Sequence, residues 1–479
     1  MVTNEEIRSA AQVTPSDRQL AWQEMEFYAF IHFTVNTYTD REWGLGNEDP
    51  GIFNPVQFDA DQWVDACRSA GMKGIILTCK HHDGFCLWPS QYTDHSVKKS
   101  PWKDGKGDIV KEVAAACRRG GLKLGVYLSP WDRHERSYGD SPAYNEYFKN
   151  QLRELLTNYG EIFCVWFDGA CGEGPNGKRQ VYDWDGYYAL IRELQPNAVI
   201  SVCGPDVRWC GNEAGHTRES EWSVVPAALK DNEKIQEKSQ KADDGEFSKR
   251  IDTQDSDLGS RNLIANVRDL AWYPAEVNTS IRPGWFYHAS EDDQVKTLAE
   301  LLNVYYGSVG GNANFLLNLP PDQRGLIHEN DVERLKQFGQ VIGGMFKTDL
   351  AQNAAARASE TYDESFGASN LFDGNKETFW RPKEGTEQAV IEIDLKEEAA
   401  FNRIVLMEHI QSGQRIESFT LACKDEEGWK EVYRGTIIGY KRICCFDAVT
   451  AGSIRLSITA SRWFPTLSSF GVYKSPSEV

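Results

Sequence analysis

One carboxylate in this chain stands where a nucleophile would be placed. Asp168 follows the apolar run of residues 162–167, which predicts a buried strand, and Gly169 comes directly after it. A carboxylate at the carboxyl end of a parallel strand lies at the rim where barrel enzymes form their active sites. Asp-Gly is also a common turn dipeptide, so an ordinary turn is the alternative.

Other polar side chains follow the neighbouring predicted strands at the same end. His32 ends the first strand, His81 and His82 follow the second, Tyr127 lies near the end of the third, and Glu213 lies in the loop after the fifth. A single histidine of this kind is more often a buried structural residue. Several polar groups that converge on one rim favour an active site.

Two chemistries compete for this set of residues. In one, His32, His81, His82 and Asp168 bind a divalent metal that activates water. In the other, Asp168 and a glutamate act as paired carboxylates on a glycosidic bond. Adjacent histidines point to opposite faces of a continuing strand, and the chain has 15 Trp, 19 Tyr and 22 Phe residues that could stack on sugars, so the second is favoured. A catalytically inactive lectin is a third, non-enzymatic alternative.

Alternating apolar and amphipathic stretches predict the elements that would position these groups. Domain 1–346 is expected to be an α/β fold, a (β/α)8-like barrel. The predicted strands are 26–34, 73–79, 123–129, 161–167, 198–203, 285–288 and 313–319, and the predicted helices are 59–70, 109–119, 142–159, 184–194 and 292–306. The charged stretch 230–257 predicts a solvated loop or an exposed helix.

Residues 347–479 show period-two alternation, which predicts an antiparallel β-sandwich of the jelly-roll type. The predicted strands are 389–395, 401–409, 418–424, 429–434, 442–446 and 453–459. The sequence therefore predicts a parallel α/β barrel followed by an antiparallel β-sandwich.

Composition restricts the partners. The formal net charge of -19 disfavours nucleic acid and anionic membrane surfaces. No stretch is apolar enough to predict a membrane span, and the eleven cysteines include no C-x-x-C pair, so no metal site is predicted. We expect a periplasmic or secreted protein whose leader has been removed, although a cytoplasmic location is compatible with the same residues.

The motifs around these residues resemble one enzyme family. They are HF at 32–33, EW at 42–43, KHHDGF at 80–85, YLSPW at 127–131, WFDG at 166–169, GNE at 211–213, EWS at 221–223, SIRPGWFYH at 280–288 and GNANFLLN at 311–318. In order and spacing they resemble the α-L-fucosidases of glycoside hydrolase family 29. Each motif is short, and the specificity lies in their combination.

The resemblance implies hydrolysis with retention of configuration and without a cofactor. Asp168 would attack the anomeric carbon, and Glu213 would protonate the departing oxygen and then activate water. The two carboxyl groups of such a pair lie ~5 to 5.5 Å apart. Glu219 and Glu221 lie in the same segment and stay open as alternatives to Glu213.

By position, the resemblance assigns further residues to the bound sugar. His32, Glu42, Trp43, His81, His82 and Tyr127 would hold the fucose hydroxyl groups, Trp285 would face the C5 methyl group, and Trp166 and Trp222 would also bind substrate. Trp43 and Trp285 could equally be core aromatics, and Glu42 could pair with a cation.

The GNE and EWS segments resemble the subfamily that cleaves α-1,3 and α-1,4 fucosyl linkages in branched, Lewis-type glycans. Fucosylated oligosaccharides or glycoconjugates are then the expected partners, and the segment around Trp209 and Trp222 could supply a subsite for the branching galactose. ASNLFDG at 368–374 with Phe379 and Trp380 resembles a discoidin-like (factor 5/8 type C) module, which binds carbohydrate or supports its neighbour. A structural calcium in that module is possible but is not predicted.

Overall fold

Eight parallel strands form the first domain of the protein. The computed structural model describes residues 4–231, 257–265, 267, 269–352 and 354–475. The strands are β1 (Phe27–Ile31), β2 (Gly74–Lys80), β3 (Lys123–Leu128), β4 (Ile162–Phe167), β5 (Val199–Val202), β6 (Arg208–Trp209), β9 (Ala275–Ser280) and β10 (Ala313–Asn318). They pair in the order β5-β4-β3-β2-β1-β10-β9-β6, and a single bridge between Ser201 and Val207 joins the two ends. The sheet is a nearly closed barrel, which confirms the (β/α)8-like fold.

Helices surround this sheet, and the longer ones bury their apolar faces on it. They are α1 (Asn4–Ala10), α2 (Asp17–Gln23), α3 (Asn36–Thr39), α4 (Ala60–Ser69), α5 (Ile109–Gly120), α6 (Ser141–Asn158), α7 (Trp184–Leu194), α8 (Arg261–Ile264), α9 (Leu298–Ser308) and α10 (Glu329–Met345). Asp59 caps α4, because its carboxylate accepts hydrogen bonds from the Asp61 and Gln62 amides. Asp140 occupies the N-cap of α6. The largest apolar cluster fills the space between helices and sheet.

Two predicted elements of the late barrel are wrong in position. The strand expected at 285–288 is β9, ten residues earlier, and 285–288 lie in the loop that follows it. The helix expected over 292–306 begins at Leu298. In β9 the buried residues Glu276 and Asn278 are polar. The strand therefore lacks the continuous apolar run by which a strand of a parallel sheet is recognised in a sequence. Most of the charged stretch 230–257 lies outside the described residues.

The second domain is antiparallel. Its strands are β11 (Ala355–Ala358), β12 (Ala389–Met407), β13 (Ile416–Asp425), β14 (Gly428–Gly435), β15 (Arg442–Ser461) and β16 (Ser469–Tyr473), paired β11-β12-β15-β13-β14 with β16 on β12. The strands predicted at 389–395 and 401–409 are one element, β12, and those at 442–446 and 453–459 are β15. Register shifts in the β12–β15 pairing let both strands bend without ending.

Shorter elements complete the description. Between β6 and β9, β7 (Val224–Pro226) and β8 (Leu270–Trp272) form an antiparallel pair. Short 3₁₀ helices occur at Pro50–Ile52, Val97–Lys99, Trp102–Gly105, Ala227–Lys230, Ala289–Glu291, Glu364–Phe366, Ala368–Phe372 and Ile410–Ser412. Among the helices in the described part of the chain, none has the length and apolar character needed to cross a bilayer.

A charged clamp ties together the loops that follow β1 and β9. His288 lies between two carboxylates, with Nδ1 2.6 Å from Asp40 and Nε2 2.7 Å from Glu42. The Glu42 carboxylate also accepts hydrogen bonds from the amides of Trp285, at 2.8 Å, and Phe286, at 3.1 Å. The hydrogen bond to Glu42 raises the pKa of His288 to about 9, and Asp40 adds to this effect. The clamp thus contains a histidine that is charged at neutral pH.

We predict that His288→Gln destabilises the protein in a pH-dependent way. The pKa of His288 is higher in the folded chain than the 6.5 of a free histidine, so its stabilisation is complete below about pH 6.5 and is lost as the pH rises through about 9. The gap in melting temperature between wild type and variant should therefore narrow from pH 6 to pH 9.5. His216→Gln, at an exposed histidine, is the control. A gap that is constant or grows with pH would contradict the clamp.

Candidate active site

Asp168 lies one residue beyond the end of β4, at the rim of the barrel. Its Oδ2 accepts a hydrogen bond from the Tyr127 hydroxyl at 2.9 Å, and its Oδ1 accepts one from the Ala170 amide at 2.8 Å. Two donors thus stabilise the negative charge of the carboxylate. Its side chain is 23% exposed, so it is oriented by the protein yet reachable by a ligand.

Three histidines surround Tyr127 and Asp168. Burial lowers the pKa of His32 to about 3, the pKa of His81 to well below its usual value and the pKa of His82 below its usual value, although Asp168 acts in the opposite direction on His82. All three rings are therefore neutral at neutral pH. A neutral imidazole can both donate and accept a hydrogen bond, which suits the binding of hydroxyl groups.

The hydrogen-bond network fixes which nitrogen of two histidines carries the proton. Asn318 donates to the Trp285 carbonyl at 2.8 Å, so its Oδ1 faces His32 and must accept from Nδ1 at 2.8 Å. Ser129 donates to the Trp131 carbonyl at 2.6 Å, so its oxygen accepts from Nδ1 of His82 at 2.7 Å. In both rings Nε2 is left as an acceptor.

His81 and His82 point to the same region, contrary to the alternation expected of a strand. β2 ends at Lys80, so both histidines lie in the loop, and their ring centres are 4.2 Å apart. One ring nitrogen of each histidine and a carboxylate oxygen of Asp168 lie within 4.8 Å of one another, a spacing that could hold a metal ion. The geometric argument against a metal cluster is therefore wrong for these three residues. His32, the fourth residue of the predicted metal set, points its Nδ1 at Asn318.

Glu213 reaches the same mouth from the loop after β6. Its Oε2 accepts a hydrogen bond from the Trp285 indole at 3.2 Å. The Trp285 ring lies 5.2 Å from His32 and packs on the cluster that contains Tyr127 and Trp166. Glu213 and Asp168 are thus linked to one continuous group of side chains.

The two alternatives to Glu213 lie elsewhere. Glu221 is fully buried and forms ion pairs with Arg208 and Arg218. Glu219 is exposed, and its carbonyl accepts from Thr436 and Arg442 of the second domain. Of the three glutamates, Glu213 is the one whose carboxylate bonds to Trp285 at the mouth.

Trp43 and Glu42 form a further part of the mouth. The Trp43 ring meets His82 edge-on at 5.6 Å and Trp131 at 5.4 Å. Glu42 is held by His288 and by the amides of the Trp285 loop. The position of its carboxylate is therefore set by the clamp, in which His288 is the cation that the sequence left open as a partner of Glu42.

Trp166 forms the floor beneath Asp168. Its ring stacks on Tyr127 at 5.4 Å, and its indole donates to Glu276 at 2.7 Å. Glu276 is fully buried, and burial raises its pKa to about 7, against the opposing effect of hydrogen bonds from Tyr28 and Trp166. Sequence reasoning missed Glu276; the available signal was the polar alternation Glu276, Asn278, Ser280 along β9.

Trp222 is placed away from this group. It is 3% exposed and packs with Val225, Tyr273 and Ile437, and the Arg462 guanidinium lies 3.4 Å from its ring centre. It therefore lies at the interface between the two domains, whereas the sequence suggested a wall of the substrate site. Trp209, the other tryptophan of that expectation, packs on the cluster of Tyr127 and Trp166.

Comparison with known proteins assigns both parts of the chain. Residues 7–343 match the alpha-L-fucosidase family, and residues 355–469 match the F5/8 type C domain. Alpha-L-fucosidase 1 of Arabidopsis thaliana is 42% identical over 466 residues, which cover 96% of this chain and 87% of the plant protein.

Solved structures agree along the whole length. A Ruminococcus gnavus GH29 fucosidase in complex with fucose superposes with a TM-score of 0.83 at 33% identity, over 97% of this chain and 96% of the other. A glycoside hydrolase 29 family member from a rumen bacterium gives a TM-score of 0.81 at 42% identity, over 98% and 78%. The chain therefore belongs to the alpha-L-fucosidases of glycoside hydrolase family 29 and carries a C-terminal F5/8 type C domain.

Proposed function

We propose that this α-L-fucosidase is a retaining exo-enzyme that releases α-1,3- and α-1,4-linked L-fucose from branched glycans. Asp168 attacks the anomeric carbon and forms a covalent fucosyl-enzyme. Glu213 gives its proton to the departing oxygen and then takes one from the water that hydrolyses the intermediate. The observation that carries the proposal is the convergence of Asp168, with its two hydrogen-bond donors, and Glu213, through Trp285, on one barrel mouth.

The neutral histidines support a role in binding the sugar. His32 and His82 each direct their proton into the protein and keep Nε2 as an acceptor. Nε2 of His82 lies 3.7 Å from Asp168, so a sugar hydroxyl that donates to it would lie beside the nucleophile. Tyr127 and Trp166 add an aromatic floor, and Trp285 offers an apolar surface to the C5 methyl group.

The preference for α-1,3 and α-1,4 linkages is supported by the GNE and EWS segments at 211–213 and 221–223. Because Trp222 lies at the domain interface, we assign the wall for the branching galactose to Trp209. This ring packs on the aromatic cluster and is oriented by a 2.7 Å hydrogen bond from its indole to Asn278. In this position the Trp209 ring would stack on the leaving sugar and not on fucose.

A metal-dependent hydrolase is the second candidate, and one observation favours it. His81, His82 and Asp168 bring ligand atoms within 4.8 Å of one another. In such an enzyme the cluster would hold an ion that activates water. Glu213 would then not be required for bond cleavage, whereas the two-carboxylate mechanism requires it as the proton donor.

We predict that Asp168→Asn lowers kcat by at least about 1,000-fold, because the covalent step loses its nucleophile. Fucose should still bind, which can be followed by the fluorescence of the site tryptophans. Asp168→Gly with added azide should form β-L-fucosyl azide from an aryl fucoside, since azide enters from the face that the carboxylate leaves. Asp425→Asn, at the exposed end of β13, is the control. Full activity of Asp168→Asn would refute the assignment.

We predict that Lewis a and Lewis x trisaccharides are hydrolysed faster than 4-nitrophenyl α-L-fucoside or an α-1,2-linked fucosyl sugar. Trp209→Ala should lower kcat/KM for the trisaccharides by about 10-fold, the equivalent of 1 to 2 kcal/mol of stacking, and leave the aryl substrate nearly unchanged. Faster turnover of the aryl fucoside by the wild-type enzyme would count against this linkage preference.

Metal removal separates the two candidate mechanisms. We predict that dialysis against EDTA leaves kcat and KM unchanged, since two carboxylates need no ion. A zinc-dependent hydrolase treated in parallel verifies that chelation was effective. If activity is lost and returns on addition of zinc or manganese, the metal mechanism is correct and the two-carboxylate mechanism is not.

A further inference from the structure

The loop that carries Glu213 lies between the two domains. This segment, residues 210–223, follows β6 and is called here the 210–223 loop. On the barrel side, Thr217 donates to the Gly307 carbonyl at 2.6 Å, and Arg208 pairs with Glu221. These contacts fix the loop at Thr217 and at Glu221, while Glu219, between them, has its backbone carbonyl bonded from the second domain.

The β-sandwich supplies that support through hydrogen bonds to the loop backbone. The Glu219 carbonyl accepts from the Thr436 hydroxyl at 2.9 Å and from Arg442 at 3.1 Å. The Ser223 amide donates to the Gln414 side chain at 2.8 Å. All three partners belong to the second domain, so the sandwich holds the loop backbone at Glu219 and at Ser223.

A stacked pair adds to these bonds. The Arg462 guanidinium covers the Trp222 ring at 3.4 Å. Arg462 is itself held by Glu417 and by the Gly259 carbonyl, and its side chain is fully buried. A buried cation on an indole face is a strong and directional contact.

Rigid links pass from these contacts to the segment next to Glu213. Glu221 is fully buried and pairs with both Arg208 and Arg218, and Arg218 donates to the Cys210 carbonyl at 2.7 Å. Asn312 accepts from the Tyr440 amide at 2.7 Å and donates to the Glu221 carbonyl at 2.8 Å. A displacement of Glu219 or Trp222 would therefore be transmitted through Glu221 and Arg218 to Cys210, which lies three residues from Glu213.

We infer that the β-sandwich domain is a positioning element of the active site, which holds the 210–223 loop so that Glu213 stays at Trp285. Thr436, Arg442 and Arg462 are its positioning residues. The inference rests on the proposed role of Glu213 as proton donor. None of the three touches the reacting atoms, and their effect on the reaction passes through the loop.

The role of a proton donor gives this inference a specific kinetic signature. A sugar leaving group needs a proton as it departs, whereas fluoride leaves without one. The value of kcat/KM reports the steps up to the fucosyl-enzyme. A loosened Glu213 should therefore lower kcat/KM for an oligosaccharide and spare α-L-fucosyl fluoride, whereas general damage to the fold should lower both.

The test uses the full chain with Thr436→Val/Arg442→Met, which removes both bonds to the Glu219 carbonyl. We expect kcat/KM to fall by about 10-fold on the best-cleaved fucosyl oligosaccharide and by less than about 2-fold on α-L-fucosyl fluoride. Thr436→Val alone, which removes one half-buried hydroxyl and should fold normally, is expected to change in the same direction by about 3-fold. Thermal unfolding verifies that each variant is folded.

Two reference variants make the outcome decisive. Thr459→Val removes a similar hydroxyl, which bonds to Ser418 at 2.7 Å within the sandwich, and should change neither substrate. Glu213→Ala should show the full selective loss; if it does not, the proposed function fails. If Glu213→Ala is selective while the Thr436 and Arg442 variants lose both activities equally, or lose neither, the inference about the sandwich is overturned and the role of Glu213 stands.

Discussion

Eight parallel strands bring their carboxyl ends to one rim, and the position of the residues that directly follow a strand depends on where that strand stops. The clearest case is β2, which ends at Lys80. The Lys80 ammonium lies 2.8 Å from Asp132, with both side chains fully buried. Loss of one partner of such a pair costs about 3 to 5 kcal/mol, so the chain is firmly fixed there. Because the strand stops at this point, His81 and His82 both turn towards Asp168.

The sequence predicted the barrel, the sandwich and the position of most site residues, because apolar runs mark strands and polar residues at their ends mark a rim. It misplaced β9 because Glu276 and Asn278 interrupt the expected apolar run. Their burial depends on partners far away in the chain, Trp166 and Trp209, which no local pattern reveals. The expectation that Trp222 lines the substrate site was misplaced for the same reason. Its partner Arg462 lies 240 positions further along the chain, so a short motif could not show which surface Trp222 faces.

Polar groups inside the barrel help to hold its side chains in place, a role that apolar packing usually fills. Glu276 bonds to Tyr28 and to Trp166, and Trp166 in turn stacks on Tyr127, the residue that donates to Asp168. A buried carboxylate with satisfied hydrogen bonds gives orientation, since hydrogen bonds have preferred directions and dispersion contacts do not. These hydrogen bonds therefore fix the orientation of the Trp166 and Tyr127 rings as well as their position.

The interface between barrel and sandwich has a consequence for the exchange of modules between enzymes. Arg261 pairs with Glu417 across it, and the amide of Asn312 bonds to the Lys441 carbonyl, so the seam combines specific polar partners with apolar contacts such as that of Trp222 with Ile437. A chimera that grafts a foreign sandwich onto this barrel would keep Asp168 and Glu213 and lose these partners at the seam. A substitution on one side of the interface should therefore need a matching substitution on the other.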